Sequence, residues 1–173
     1  MMLIVDGYNM IGAWPEFQGS INLEHSRQVL IDMLCDYAAY EGMETIVVFD
    51  GYKGKATRRT EQDIAGIHVV YTKALETADA YIERFVDEKL QNLPRGMRAD
   101  LMVATSDSLE QSVILSRGAV RLSAAELYRL VGESRQSRRS VASKAQPLKK
   151  TSFEAHLSEE VRQVLEKIRR GEQ

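Results

Sequence analysis

The chain has 173 residues, 44% of them hydrophobic, which suits one α/β domain with a packed core and a small appendage. It has no run of 18 apolar residues and no basic flank on its short N-terminal apolar run, so we expect neither a membrane span nor a signal peptide. A single cysteine, Cys35, excludes an intramolecular disulfide and a cysteine-based zinc site, and fits a reducing cytoplasm.

Charge is distributed unevenly along the chain. Residues 1–133 carry a net charge of −7, whereas residues 134–150 carry +6 and contain no acidic residue. An acidic body followed by a basic segment is typical of proteins that bind polyanions, and a solvated linker has the same composition. We predict a domain over residues 1–133 and a basic connector with a C-terminal amphipathic helix over residues 134–173.

Short buried strands alternate with helices from the first residue onward. The apolar residues 1–5 predict a strand that ends at Asp6, where Gly7 allows a sharp turn and Asn9 lies in the following loop. Asn22 is placed to cap a helix that ends before Gly42. Residues 52–65 show no clear element. Further strands are predicted over 45–50, 67–71, 101–105 and 119–122, and further helices over 78–91, 108–116 and from Ser123 through 131.

This alternation predicts an α/β fold with a central, mainly parallel sheet. The first strand is not followed by the glycine pattern of a dinucleotide-binding fold, and the chain contains no phosphate-binding loop of the NTPase type. The carboxyl ends of the strands are therefore the place to look for a site, because ligands bind there in open α/β sheets.

Four aspartates fall at that predicted edge of the sheet. Asp6, Asp50 and Asp107 each follow a strand, and Asp79 precedes or opens the next helix. Like-charged carboxylates repel one another, and a hard divalent cation such as Mg²⁺ or Mn²⁺ relieves the repulsion through oxygen ligands. Asp6 is the strongest of the four candidates, and Glu76 is a weaker fifth.

Each aspartate also has a purely structural interpretation. Asp107 lies three residues before Glu110 in a pattern typical of a capping box, and Asp79 suits the first turn of a helix. Asp50 before a glycine is an ordinary turn residue. These interpretations are compatible with a site, because caps at strand ends also point into the crevice.

Four segments together resemble the YacP-like family of NYN domains, a branch of the PIN-like nucleases. They are residues 5–11 (VDGYNMI), 47–50 (VVFD), 76–79 (ETAD) and 104–107 (ATSD), with further likeness at 158–161 and 169–171. The resemblance implies a PIN-like three-layer α/β/α fold, a divalent-metal site and endonucleolytic cleavage of mRNA in the ribosomal A site. It implies that Asp6, Asp79 and Asp107 hold the metal, that Asp50 completes their shell, and that Asn9 positions a water or a carboxylate.

Substrate contacts are predicted from polar side chains near the same edge. A basic cluster follows Asp50 and suits a phosphate backbone, although a solvated loop has the same composition; it comprises Lys53, Lys55, Arg58 and Arg59. Thr105 and Ser106 can donate hydrogen bonds to a phosphate or a carboxylate. Tyr8 and Trp14 can stack on bases or pack in the core.

Two classes of function stay open at this point. The first is a metal-dependent endoribonuclease whose partners are mRNA and the ribosome, acting as a monomer in the cytoplasm. The second is a non-catalytic RNA- or ribosome-binding protein with a degenerate site. A phosphatase is disfavoured because Asp6-Gly7-Tyr8 lacks the second aspartate of such a nucleophile loop. The C-terminal helix is expected to dock on its own domain or, with the basic connector, on the ribosome.

Overall fold

A computed structural model describes residues 1–51, 58–92, 94, 100–107, 114–115 and 117–144 of the chain. The chain divides into two compact units, residues 1–135 and residues 136–173. The predicted helix over 108–116 lies mostly outside the described residues, as do Lys53, Lys55, Glu110 and the predicted C-terminal helix. Within the described part, no helix is both long enough and apolar enough to cross a bilayer.

A six-stranded sheet with flanking helices forms the first unit. Its strands are β1 (Met2–Asp6), β2 (Glu44–Phe49), β3 (Thr60–Ile64), β4 (Ile67–Tyr71), β5 (Leu101–Ala104) and β6 (Val120–Leu122), arranged in the order β3-β4-β2-β1-β5-β6. All neighbours are parallel except β3, which pairs antiparallel with β4. Among the residues that the structure describes, the α-helices are α1 (Gly7–Ala13), α2 (Leu23–Glu41), α3 (Ala78–Asn92) and α4 (Ala124–Lys144), and a 3-10 turn covers Pro15–Phe17. The predicted mainly parallel α/β fold is confirmed.

Both faces of the sheet are covered, as the unbroken apolar runs of β1 and β2 require. Side chains alternate between the faces along a strand, so Leu3 and Val5 join one core with Leu34 of α2, whereas Ile4 joins a second core with Ile82 of α3. All five of these side chains are completely buried. The central strands and the start of each helix are thereby held in fixed positions.

Helix α2 follows the predicted limits closely. The Asn22 side chain accepts a hydrogen bond from the His25 backbone N–H at 3.1 Å and begins the helix. Gly42 ends it in the left-handed conformation, with φ of 63°, which glycine adopts without steric cost. The predicted cap and the predicted stop are both confirmed.

Three elements differ from the sequence prediction. The presumed turn after Asp6 is helix α1, because the Asp6 side chain caps it and satisfies a free backbone donor. The segment without a clear element contains β3, an edge strand whose exposed, charged residues lack the usual apolar pattern. Residues 134–144, part of the predicted basic connector, continue α4, since serine, glutamine and arginine cost a helix only a few tenths of a kcal/mol each.

Candidate active site

An open cleft of about 550 Å³ lies at the carboxyl ends of the central strands. The strand order places β1 between β2 and β5, so the residues that follow these strands meet at one edge. The cleft is lined by Asp6, Tyr8, Asn9, Gly12, Ala13, Asp50, Asp79 and Ser106. Three of the four candidate aspartates therefore share one cavity.

Asp6 is the most buried of these groups, with 5% of its surface exposed. One carboxylate oxygen accepts a hydrogen bond from the Asn9 backbone N–H at 3.0 Å, and the other accepts one from the Asn9 side-chain amide at 3.3 Å. Burial raises the pKa of Asp6 to about 6 against the lowering effect of these hydrogen bonds, and repulsion from Asp79 and Asp50 adds to the rise. The protein thus keeps a carboxyl whose charge is costly inside the cleft.

Asn9 connects helix α1 to the loop after β5. Its side-chain oxygen accepts a hydrogen bond from the Ser106 backbone N–H at 2.9 Å, while its amide holds Asp6. Thr105, expected to contact RNA, is completely buried, and its hydroxyl accepts a hydrogen bond from the Asp107 N–H at 3.1 Å. That expectation is wrong for Thr105, which instead shapes the loop that carries Asp107.

Asp50 fixes the start of helix α3. Its carboxylate accepts a hydrogen bond from the Ala78 backbone N–H at 2.7 Å and so satisfies one of the free donors at the start of this helix. Asp79 follows directly. Burial raises the pKa of Asp79, repulsion from Asp107 and Asp50 raises it further, and a hydrogen bond with Asp6 opposes the rise. Asp79 is thus electrostatically coupled to Asp50 and to Asp107, the aspartate that follows β5.

The chemistry of these donors fits a hard divalent cation. Repulsion from Asp79 and Asp50 raises the pKa of Asp6, repulsion from Asp107 and Asp50 raises that of Asp79, and a bound cation would neutralise this excess negative charge. Within the described ranges, no three His, Cys, Asp or Glu residues form a ready-made metal cluster. Mg²⁺ usually keeps several water ligands in proteins, so it does not require a complete set of protein donors.

Comparison with known proteins now decides the family. The model of the YacP-like NYN domain matches residues 3–170. The protein named uncharacterized protein YacP from Bacillus subtilis (strain 168) is 39% identical over 173 residues, covering 99% of this chain and 98% of the relative. The chain belongs to the YacP-like NYN domain family. As the resemblance implied, it is a nuclease-type, PIN-like protein.

Solved relatives of this NYN domain show the same architecture. The crystal structure of Rae1 (YacP) from Bacillus subtilis matches with a TM-score of 0.68 and 38% identity, over 99% of this chain and 95% of that one. A mutant of the same protein matches with a TM-score of 0.66 and 35% identity over 85% of each chain. The PIN-like α/β/α assignment is therefore confirmed.

Two arginines bind the carboxylate of Glu76, the weaker candidate for a metal ligand in the NYN domain. Burial would raise its pKa, but hydrogen bonds from Arg59 and Arg84 outweigh burial and bring it to about 2. Their guanidinium nitrogens lie 2.8 Å and 2.6 Å from one Glu76 oxygen. Glu76 is thus the anion of a structural ion pair, and it holds Arg59, one of the predicted RNA contacts, in place. Arg58 beside it is exposed.

The two aromatic candidates are placed differently. Trp14 is 1% exposed and its ring N–H donates to the Ala124 carbonyl at 2.9 Å, so stacking on a base is wrong for this residue. Tyr8 lines the cleft. The sequence prediction missed Arg27, whose guanidinium donates to the Tyr8 hydroxyl at 2.8 Å. One signal was present, since Arg27 is the only lysine or arginine among the first 52 residues.

Replacing Asp6 with asparagine is expected to change how stability depends on pH. The folded-state pKa of Asp6, about 6, lies above its ordinary value of 3.8, so its stabilising contribution is complete below pH 3.8 and is lost as pH rises through 6. The Asp6→Asn variant has no carboxyl to ionise at this position, so its stability does not fall in this way as pH rises. With EDTA present, its free energy of unfolding should improve relative to wild type by about 2 kcal/mol more at pH 8 than at pH 4.5. Urea unfolding at the two pH values measures this, and equal differences would contradict it.

Proposed function

We propose that this protein is a divalent-metal-dependent endoribonuclease that hydrolyses mRNA on the translating ribosome. The observation that carries the proposal is the collection of Asp6, Asp50 and Asp79 from three separate chain segments around one open cleft, with the pKa of Asp6 raised to about 6. Such a costly arrangement is typical of functional sites. Membership in a family of PIN-like nucleases supports the same chemistry.

Asp6, Asp79 and Asp107 would hold Mg²⁺ or Mn²⁺, directly or through water. When bound, the ion would neutralise charge on the scissile phosphate and lower the pKa of a water nucleophile. Asp50 sets the position of Asp79 through its hydrogen bond to Ala78. Asn9 orients Asp6 by two hydrogen bonds and keeps it available as a ligand. Asn9 also holds the Ser106 loop, which lines the same cleft, through a hydrogen bond from the Ser106 backbone N–H.

The choice of mRNA in the ribosomal A site rests on the family likeness and on the charge distribution. Residues 1–133 would form the nuclease domain, acting as a monomer. The basic residues of 134–150 would bind ribosomal RNA and offset the repulsion between the acidic body and a polyanion. The open form of the cleft suits an extended strand better than a small metabolite.

Incubation with translating ribosomes and with the same mRNA free of ribosomes tests the proposal. We expect new mRNA ends, mapped by sequencing, in the presence of Mg²⁺ and none in EDTA, with cleavage restored when Mn²⁺ or Mg²⁺ is returned in excess. Cleavage that persists in EDTA would refute metal dependence. Ribosome binding without any new ends would favour the non-catalytic alternative.

Neighbouring arginines should behave differently in the predicted RNA-binding loop. Arg58→Ala removes an exposed charge, so we expect weaker RNA binding and a log–log salt dependence shallower by about 1. Arg59→Ala leaves the Glu76 carboxylate, which is 6% exposed, without one of its two arginines. We expect its free energy of unfolding to fall by about 2 kcal/mol.

Filter binding across a salt series and urea unfolding separate the two effects, and each variant serves as the control for the other. An unchanged salt slope for Arg58→Ala would return this residue to the interpretation of a solvated loop. Wild-type stability in Arg59→Ala would show that Arg84 alone satisfies Glu76.

A further inference from the structure

Arg27 is a nearly buried cation beside the cleft. Its side chain is 11% exposed and lies in the first turns of helix α2. One guanidinium nitrogen donates to the Tyr8 hydroxyl at 2.8 Å, a second pairs with Glu24, and the group lies 5.7 Å from the centroid of the Tyr71 ring. Burying an arginine is costly, so its fixed aim at a residue of the cleft calls for an explanation.

Tyr8 is held rigidly by its neighbours. Its ring meets Phe49 edge-on, with centroids 5.2 Å apart, and Phe49 stacks on Tyr71 at 5.5 Å. A tyrosine hydroxyl has one proton to donate and accepts through its oxygen. Because the oxygen accepts from Arg27, the proton remains for another acceptor, and a charged donor behind it strengthens that second hydrogen bond.

Arg27 also lines a second open groove, of about 660 Å³. It is lined by Ile21, Asn22, Leu23, Glu24 and Arg27. Ile21 is fully exposed and Leu23 is 41% exposed, so the groove offers apolar surface next to a guanidinium. A guanidinium plane is one of the surfaces on which unstacked bases stack. The Tyr8–Arg27 hydrogen bond joins the wall of the groove to the wall of the cleft.

We propose that the Tyr8 hydroxyl donates a hydrogen bond to a phosphate oxygen of the RNA strand next to the scissile phosphate, and that Arg27 is the positioning residue that aims it. The strand then continues from the cleft across Tyr8, and the adjoining nucleotide occupies the groove of residues 21–27. A neutral donor with a cation behind it can bind a phosphate beside the three carboxylates that line the cleft. This inference rests on the proposed function, because it concerns the same substrate.

Tyr8→Phe tests the donor, since it removes one oxygen and keeps the ring against Phe49. We measure KM and kcat for an RNA oligonucleotide with Mg²⁺, and its Kd with Ca²⁺ in place of Mg²⁺. Loss of a hydrogen bond to a charged phosphate should raise KM and Kd about tenfold, with a smaller change in kcat. Tyr40→Phe, an exposed tyrosine of α2, is the matched control and should match wild type.

Arg27→Gln tests the positioning role. It should raise KM in the wild-type background and have no further effect on KM in the Tyr8→Phe background, because the two residues act through one hydrogen bond. A purely structural Arg27 would instead lower the melting temperature equally in both backgrounds and leave KM unchanged. Arg27→Lys, which keeps the charge and a donor, should recover part of the wild-type KM.

Failure of this inference and failure of the proposed function are distinguishable. If wild type cleaves RNA and Tyr8→Phe keeps the wild-type KM and Kd, the inference is overturned and the nuclease proposal stands. If wild type binds the oligonucleotide without cleaving it, the Kd of Tyr8→Phe still decides the inference. Absence of any RNA binding by wild type overturns it.

Discussion

Replacing Asp79 with asparagine is expected to lower the rate of RNA cleavage by roughly 1000-fold while the protein remains folded. The change removes one negative ligand with almost no change in shape. Asp79 lies in the first turn of α3 and is coupled to Asp6, Asp50 and Asp107, so its charge serves the whole cleft. Asp6→Asn should have an effect of similar size, because Asp6 shares a hydrogen bond with Asp79.

The comparison requires single-turnover cleavage with saturating Mg²⁺, together with urea unfolding of each variant. Asp32→Asn is the matched control, because Asp32 is exposed on α2 and accepts a hydrogen bond only from the neighbouring Gln28 side chain among the contacts found in the described chain. It should cleave like wild type. Wild-type rates in both cleft variants would show that the aspartates are not the metal ligands.

Titration calorimetry, which measures the affinity for Mn²⁺, gives a second readout for the same variants. A carboxylate that acts as a ligand supports binding in the absence of RNA, so the affinity should fall in Asp79→Asn even where no turnover is measured. Lost cleavage with unchanged metal affinity would instead place Asp79 in contact with the substrate or the attacking water.

Much of this site could be predicted because buried parallel strands have a plain sequence signature. The apolar runs before Asp6 and Asp50 marked β1 and β2, and in a parallel sheet the residues that follow such runs must meet at one edge. The placement of Asp79 needed only the start of the next helix. Local sequence therefore specified which carboxylates converge, without any knowledge of the packing between distant segments.

The remaining features depend on contacts between distant residues. Glu76 was a weaker candidate ligand, and the structure shows Arg59 and Arg84 at its carboxylate, 17 and 8 residues away along the chain. Trp14 donates a hydrogen bond to the carbonyl of Ala124, 110 residues away, and this contact holds its ring in the core. Strand β3 was missed because an edge strand with exposed charges does not alternate. Pairings of this kind leave no periodic signal in the sequence.

Gly7 shows how a correct residue can be predicted for the wrong reason. The sequence suggested that it permits a sharp turn, yet it is the first residue of α1 and is absent from the glycines with positive φ. Position 7 requires glycine because there is no room for a side chain. A Cβ atom at Gly7 would lie 2.2 Å, 2.5 Å and 2.7 Å from three atoms of the Phe49 ring. Phe49 is completely buried, and Tyr8 and Tyr71 hold its ring from two sides.

Gly7→Ala is therefore expected to reduce the free energy of unfolding by about 3 kcal/mol, because overpacking of a close-packed core forces side chains off their rotamers. Gly12→Ala, at the other end of the same helix, is the matched control. Nothing lies within 4 Å of its Cβ position, and alanine favours a helix, so it should gain up to about 1 kcal/mol. Urea unfolding of both variants measures the contrast. Because Gly7 separates Asp6 from Tyr8, a Gly7→Ala protein that remains folded should also cleave RNA more slowly. Equal stability of the two variants would mean that Phe49 can move aside, and that the position of the cleft does not depend on this contact.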